Sequence, residues 1–483
     1  MVQSISAGRV ASLVDGFDRS PAYAGLADAL TELVGDGRIG LDVRLPSERD
    51  LTAALGVSRT TVTRAYALLR EGRYAEARQG SGTFTRVPGG TRRHDRVLTP
   101  AHGGPDTIDL TCAAASAPPG IAAAYAEAAA DLPAYLSGHG YFPAGLPDLQ
   151  AAIAATYDAR GLPTDPDQVM VTPGALTAAA VVAQALTAPG DRVAVESPVY
   201  PNATQALRSA GARLRAVPVD PEGWDLDAVG AALRQQAARF AYLVPDFQNP
   251  TGHLMTDEQR AACAAHLRAA GTVGVVDEAH QALALDGQEM PLPFAAHDDR
   301  TVTLGSASKA YWGGLRLGWI RAPHGLMDRL TTARLAVDLG APVMEQLVLT
   351  RLLAAELDGT GDVVRRHRER LREQRDVLLA ALAERLPDWR FHRPGGGLAA
   401  WCELPAARGT ELVAEAERHG VIVAPGPAFA AEGGLDRFVR VPWAAPVADL
   451  ERAVERLAAA WAALTDRAPA GRPAPRRTRV MVA

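Results

Sequence analysis

The sequence predicts an α/β protein in two parts: a small head of helices and a short hairpin, then a large domain on a mainly parallel sheet. Three observations carry that expectation. Residues 20–87 read as two short amphipathic helices around a glycine break, followed by two strand-like runs about a glycine-containing turn. Residues 88–107, "PGGTRRHDRVLTPAHGGPDT", mix proline, glycine and charge without an apolar period, which predicts a linker. From residue 108 to about 465, apolar runs ("QVMVTPG", "DRVAVESP", "RFAYLVPD", "TVGVVDE", "TVTLGS") alternate with Ala/Leu-rich helical stretches, the order of βα units around a parallel sheet.

Composition bounds the rest. At 483 residues the chain is too long for one core. A hydrophobic share of 48% and a charged share of 22% are those of an ordinary globular protein. No stretch approaches the ~20 uncharged apolar residues of a membrane span. The N-terminal extension, residues 1–19, lacks a basic start followed by an apolar core, so no signal peptide is expected. Cys112, Cys263 and Cys402 are far apart and odd in number, which predicts buried thiols in a reducing compartment, with no disulfide set and no metal site. A cytoplasmic, nucleoid-associated protein is the expectation. The tail, residues 466–483, is Pro/Arg-rich and reads as disordered. Residues 1–96 hold 14 Arg against 11 acidic residues, a net +3, and the remainder carries −8, which sums to the stated −5. The asymmetry hints at an anionic partner for the head.

The head's geometry can be read from "LPSERDLTAALGVSRTTVTRAYALLREGRYAEARQGSGTFTRV". Ser47 is placed to cap a helix through about Leu55, Gly56 breaks it, and Ser58 caps a second helix. Leu51 and Leu55 then face Val62, Tyr66 and Leu69, leaving Arg59, Thr60, Thr61, Thr63 and Arg64 outward. A helix-turn-helix presents its second helix to the major groove in this way, and the glycine-turned hairpin makes a wing. "LPSERDL", "GVSRTTV" and "QGSGTF", in that order, resemble the GntR-type winged helix-turn-helix. The resemblance implies double-stranded DNA binding through Arg49, Arg59, Thr61, Arg64 and the wing glycines Gly80 and Gly82, with arginine forks reading guanine edges.

The large domain holds one chemical oddity. Of 50 Lys+Arg side chains, Lys309 is the sole lysine. A coding bias toward arginine explains the 49 others. Arginine cannot replace lysine where a nitrogen must lose its proton and bond covalently to a carbonyl. If Lys309 holds a pyridoxal phosphate aldimine, it needs a carboxylate for the pyridine nitrogen, donors for the phosphate, an aromatic for the ring face and donors for the phenolic oxygen. Candidates stand in consistent order. Asp277 ends an apolar strand; Gly174 and Ala175 open a helix after Thr172, where free amides form an anion site. Ser306, Ser308 and Arg316 flank the lysine, Tyr200 in "ESPVY" offers an aromatic face, and Asn249 in "QNPTG" offers an amide.

These stretches, with "YFPAGLPDLQAAI", "SASK…GGLRLGW" and "RFVRVPW", resemble the fold-type I, aspartate-aminotransferase-like enzymes over residues 108–465. The resemblance implies a large, mainly parallel sheet domain with a smaller C-terminal α/β subdomain, and pyridoxal 5'-phosphate as cofactor. It implies Lys309 as the aldimine lysine, Asp277 as pyridine partner, and Ser306, Ser308 and Arg316 on the phosphate. By the same match Tyr141 reaches the phosphate of a neighbouring subunit and Arg440 binds a ligand carboxylate. One position departs: the family's tyrosine three residues after the aspartate is His280 here, an imidazole that ordinarily titrates near neutral pH. Both halves together resemble the MocR family of bacterial regulators. That implies a homodimeric, head-to-tail transcription factor sensing a vitamin B6 form, an amine or an amino acid. The alternative is a working aminotransferase with a fused DNA-binding domain.

Overall fold

The computed structural model describes residues 4–14, 16–35, 39, 43–78, 80–86 and 106–466. The expected linker and disordered tail fall outside them apart from Asp106, Thr107 and Asp466. The chain forms two compact units, residues 1–97 with 117–127, and residues 98–116 with 128–483. The segment Ala117–Glu127, expected in the large domain, therefore clusters with the first unit.

In the first unit, α1 (Ala7–Leu13), α2 (Ala22–Gly35), α3 (Glu48–Leu55) and α4 (Arg59–Glu71) precede the antiparallel pair β1 (Ala75–Arg78) and β2 (Gly82–Thr85). The Ser47 hydroxyl accepts the Asp50 amide at 3.2 Å and the Ser58 hydroxyl accepts that of Thr61 at 3.1 Å, so both expected caps form. Gly56 ends α3 at φ 63°, a left-handed conformation that a side chain would strain. Leu51, Val62, Ala65, Tyr66 and Leu69 pack with Leu26 and Leu30 of α2, while Leu55 is half-buried. Tyr66 adds a bond from its hydroxyl to the Pro46 carbonyl at 2.9 Å. Val10 and Val14, one helical turn apart, bury into the same core, so the folded head starts upstream of the expected boundary at residue 20.

The second unit is built on a seven-stranded sheet. Its strands are β4 (Val169–Thr172), β5 (Arg192–Ser197), β6 (Arg213–Pro218), β7 (Phe240–Leu243), β8 (Val273–Asp277), β9 (Val302–Ser306) and β10 (Gly318–Arg321). The order is β4-β10-β9-β8-β7-β5-β6, parallel except for β10, which runs against both neighbours. Side chains alternate between faces with period two. Val193, Val195, Phe240, Tyr242 and Val275 enter one apolar cluster, while Ala194, Ala241, Leu243 and Val276 enter another. Helices cover both, which is why these strands read as unbroken apolar runs.

A smaller antiparallel sheet follows, from β11 (Ala399–Glu403), β13 (Ala424–Pro425) and β14 (Phe438–Pro442), with β14 central. It packs with helices Val363–Arg385, Gly409–Arg418 and Val447–Thr465. The chain's return to this subdomain is tied by a parallel pair between β3 (Ile108–Asp109) and β12 (Val421–Ile422). No helix among the described residues is long and apolar enough to cross a membrane.

Candidate functional site

Carboxyl ends of parallel strands are where α/β sheets place ligands, and Gly174, Tyr200, Asp277, Ser306 and Lys309 stand at or just past such ends. Asp277 ends β8. Tyr242 on β7 pairs with Val275, so two residues on, Asp277 emerges on the face that Tyr242 occupies. The Tyr242 hydroxyl donates to Asp277 Oδ2 at 2.5 Å and the Ala279 amide donates to Oδ1 at 2.9 Å. Burial nevertheless holds the Asp277 carboxyl above its ordinary pKa, against the pull of these two bonds and of Lys309. A carboxylate so placed is short of a cationic partner.

Lys309 lies in the short helix Ala307–Ala310 directly after β9. Its Nζ donates to the Ala113 carbonyl at 2.9 Å. Burial pulls the amine's pKa down to about 8; Arg440 and Arg316 push the same way, and Cys112 and Asp277 oppose them. A substantial neutral fraction at physiological pH makes this a usable nucleophile.

The anion cradle forms where β4 meets helix Ala175–Leu186. Gly174 caps that helix at φ 93°, and a Cβ there would come within 3.0 Å of the Arg316 guanidinium. Gly318 on β10 passes so close beneath that its Cβ would lie 2.6 Å from the Ala175 amide nitrogen. Arg316 Nη2 donates to the Pro173 carbonyl at 3.3 Å and is otherwise exposed. The Ser306 hydroxyl caps the lysine's helix by accepting the Ser308 amide at 3.2 Å. A helix N-terminus and a guanidinium thus converge, with Ser306 paired to Gly318 on the strand beneath, a set suited to phosphate.

The remaining side is built by Arg440, Asn249 and His280. Arg440, wholly buried on β14, donates from Nη1 to Asn249 Oδ1 at 3.1 Å and from Nη2 to the Thr111 carbonyl at 2.5 Å. Its Nε is buried without a partner among the described residues, and burial pulls the guanidinium down to about 10, still charged at neutral pH. His280 Nδ1 lies 3.0 Å from the Phe247 carbonyl. The expectation that His280 titrates near neutrality is corrected: burial, helped by the Lys309 and Arg440 charges, drives it down to about 4. Tyr200 is half-buried, its hydroxyl accepting from Asn202 Nδ2 at 2.9 Å, with its pKa raised by burial. Tyr141 is not gathered in. It is 58% exposed, and its hydroxyl has no hydrogen-bond partner among the described residues.

Three contributors were invisible in the sequence. Tyr242 needed the β7–β8 register to be seen. The 111–113 segment needed the fold, since its carbonyls meet Arg440 and Lys309. Glu196 organises the Asn249 loop: its carboxyl takes Trp224 Nε1 at 2.9 Å, the Val244 amide at 3.2 Å and Gln248 Nε2 at 3.1 Å. Burial lifts Glu196 to about 7.

In the head, Arg49, Arg59 and Arg64 are exposed, as are Gly80 and Gly82 at the hairpin turn. Arg64 lies over the Tyr23 ring at 3.8 Å from its centroid. Thr61 is partly used locally, its hydroxyl 2.9 Å from that of Ser58. Thr63 donates to Glu48 at 2.7 Å, with Arg59 3.9 Å from the same carboxylate.

Comparison with known proteins bears on both units. Residues 115–457 match the family described as aminotransferase class I and II, and residues 22–85 match that of bacterial regulatory proteins, gntR family. The chain is 30% identical over 450 residues to the uncharacterized HTH-type transcriptional regulator YdcR of Escherichia coli, covering 86% of this chain and 94% of that one. It is 32% identical over 316 residues to 2-aminoadipate transaminase of Thermus thermophilus, covering 64% of this chain and 76% of that enzyme. Among solved structures, the α-aminoadipate aminotransferase LysN of Thermus thermophilus, complexed with N-(5'-phosphopyridoxyl)-L-leucine, superposes with a TM-score of 0.67 at 30% identity, over 75% of this chain and 94% of that one. The cofactor of such a domain is pyridoxal phosphate, and the residues present fit it: a cation-seeking buried carboxyl at Asp277, a glycine-lined amide cradle beside Arg316, and an amine of lowered pKa that feels the charges of both.

Proposed function

The chain belongs to the MocR family, a GntR-type DNA-binding domain joined to an aminotransferase class I and II domain, and we propose that it regulates transcription by sensing a vitamin B6 form or an amino-acid-like effector at Lys309. The observation that carries this reading is the sole lysine, with its pKa lowered to about 8, in a site that also holds Asp277 and Arg440, on a chain whose head keeps an exposed, arginine-bearing second helix. When bound, pyridoxal phosphate supplies an aldehyde that amines capture and a ring that withdraws electrons from the captured nitrogen. The chain's own residues bind and orient it. Asp277 holds the pyridine proton, with Tyr242 fixing the carboxylate's rotation. Gly174, Ala175, Ser306, Ser308 and Arg316 grip the phosphate, Tyr200 covers a ring face, and Asn249 presents its amide, its oxygen being committed to Arg440. Arg440 takes the effector's carboxylate, which favours an amino acid over a simple amine.

Arg49, Arg59, Thr61, Arg64 and the Gly80–Gly82 turn contact the operator. The working form is a head-to-tail homodimer in the cytoplasm, associated with the nucleoid, in which Tyr141 serves the partner's phosphate site; its exposure and unused hydroxyl support that role. Effector binding acts through different affinities for two arrangements of the heads, which is the only way a ligand shifts such an equilibrium. The test is a DNA-shift titration of wild type and Lys309→Ala against vitamers and amino acids. A response in wild type that vanishes in the variant is expected; the same response in both would defeat the proposal.

A second reading, a working aminotransferase, is favoured by the completeness of the Asn249, Asp277, Lys309 and Arg440 set. Steady turnover of an amino acid with a keto acid at ~1 per second or faster would select it.

A further inference from the structure

We infer that His280 meets the cofactor's phenolic oxygen as a hydrogen-bond acceptor, so that this oxygen keeps its own proton. The inference rests on the proposed occupancy of the site and concerns what this chain has done with the position where its enzyme relatives, by resemblance, carry a donating tyrosine.

The argument is a count of protons. A backbone carbonyl only accepts, so His280 Nδ1, 3.0 Å from the Phe247 oxygen, carries a hydrogen. Burial keeps the ring neutral, with its pKa driven down to about 4. A neutral imidazole has one N–H, and it is spent on Phe247. Nε2 therefore presents a bare lone pair. It has no hydrogen-bond partner among the described residues, on a ring that is buried but not fully sealed, at 5% exposure. Moving the proton to Nε2 would leave the Nδ1 lone pair facing the lone pairs of the Phe247 oxygen at 3.0 Å. That carbonyl is fixed by its surroundings: Phe247 is buried at φ 46°, and Gly396 is packed so closely that a Cβ there would lie 2.5 Å from the phenyl ring.

The charges around His280 favour the same state. Lys309 from the helix after β9 and Arg440 from β14 act against a second proton, and only Asp246, in the loop after β7, acts for one. Asn249 completes the picture. Its Oδ1 accepts from Arg440, so Nδ2 is the atom left to donate. A phenolic O–H can accept from that amide and donate to the His280 lone pair, whereas a phenolate would face the lone pair with nothing between them. A tyrosine hydroxyl at this position would do the opposite and hold the oxygen as an anion. The consequence for function is direct. A protonated phenol leaves the captured nitrogen without its neighbouring anion and weakens the push of charge that transamination uses, which suits a site that holds and reports an amine.

The experiment reads the cofactor's colour. Protein loaded with pyridoxal phosphate is titrated from mildly acidic to alkaline pH as wild type, His280→Tyr and His280→Phe. The phenol with a neutral imine and the phenolate with a protonated imine carry the same number of protons, so their ratio is read at neutral pH and the alkaline arm only checks that any yellow form bleaches as its proton leaves. Wild type is expected to absorb mainly in the near ultraviolet at neutral pH, with the yellow band minor. His280→Tyr is expected to be yellow at neutral pH, its yellow to near-ultraviolet ratio raised at least tenfold, with His280→Phe between them. Equal ratios in all three would overturn the inference. Should the variants not fold, nitrogen-15 resonances of wild-type histidines decide: a neutral ring protonated on Nδ1 is expected for His280, and protonation on Nε2 overturns it. Borohydride trapping and mass analysis in the same samples keep the two ideas apart. No adduct on Lys309 would sink the proposed site itself, while an adduct with an unshifted spectrum sinks the role of His280 alone.

Discussion

The two units of this chain use positive charge in opposite ways. In the head, Arg49, Arg59 and Arg64 stand in water on and beside the second helix. In the large domain, Lys309 is withdrawn from water until its pKa falls to about 8. Holding phosphates needs a charge that never leaves, and guanidinium in water provides it. Capturing an aldehyde needs a nitrogen that can shed its proton, and desolvation makes one from an ordinary lysine. The sequence writes 49 of its 50 Lys+Arg side chains as arginine and keeps its one lysine at the buried position.

The strongest way to break this contrast is Lys309→Arg. The charge is kept and the chemistry removed. Covalent capture of pyridoxal phosphate is expected to vanish entirely, with no adduct by mass analysis after borohydride, while effector-free DNA affinity stays within about twofold, a change under ~0.5 kcal/mol. An adduct elsewhere on the chain would show that the buried amine is not what the site is built around.

Acid sharpens the contrast next. The large domain buries His280 and His367 as neutral rings, both with pKa driven down to about 4, whereas residues 1–86 contain no histidine. Unfolded, each ring takes a proton near ~6.5; folded, neither does until about 4. The unfolded chain thus binds more protons in that window, and stability present above it is lost as pH falls through it, on the order of 3 kcal/mol per ring. Unfolding followed by intrinsic fluorescence of the large domain should shift steeply between these limits, and a separately expressed or separately monitored head should not shift through histidine. Parallel losses in both units would contradict the burial of those rings.

The same contrast explains what could be read without the fold. The head's caps, its glycine break and its buried face follow from contacts three to seven residues apart, and Ser47, Gly56, Ser58, Leu51 and Val62 all stand as their spacing demands. Its N-terminal helix was missed because one amphipathic turn carrying Val10 and Val14 is too short a signal by itself. In the large domain, strand ends and loop motifs located Asp277, Gly174, Asn249 and Lys309, but not who touches whom. Tyr242 meets Asp277 through sheet register, Arg440 meets Asn249 across 191 residues, and the Thr111 carbonyl meets Arg440 across 329. Nothing local encodes those pairings. The protonation of His280 was misjudged for the same reason, since burial belongs to the assembled site.

A milder perturbation of the buried side is Asp277→Asn. The amide keeps the shape and the bond to the Ala279 amide but offers no charge to a protonated pyridine. Retention of pyridoxal phosphate is expected to weaken at least tenfold, ~1.4 kcal/mol or more, by dialysis followed with absorbance. Because the pair is out of water, the loss should hardly change between low and moderate salt. A loss that disappears in salt would place the carboxylate at the surface and erase the difference between the units.

The smallest expected effect lies on the exposed side, in Arg64→Lys. Arg64 lies over Tyr23 with its Cζ 3.8 Å from the ring centroid, a close contact that a weakly hydrated guanidinium fills better than an ammonium. Lysine preserves the charge, so contacts to DNA phosphates survive and the salt dependence of binding should keep its slope. What is lost is the fork and the stacking, together about 0.5–1 kcal/mol at an exposed site. Operator affinity is therefore expected to fall only about two- to fivefold, measured by fluorescence anisotropy at several salt concentrations. Arg64→Ala supplies the other limb: the charge goes too, and the slope of log affinity against log salt should drop by about one. If Arg64→Lys proved as damaging as Lys309→Arg is to cofactor capture, arginine in the head would be performing a bidentate reading task that no ammonium can share. The line between the units would then separate two kinds of geometric demand, not charge in water from chemistry out of it.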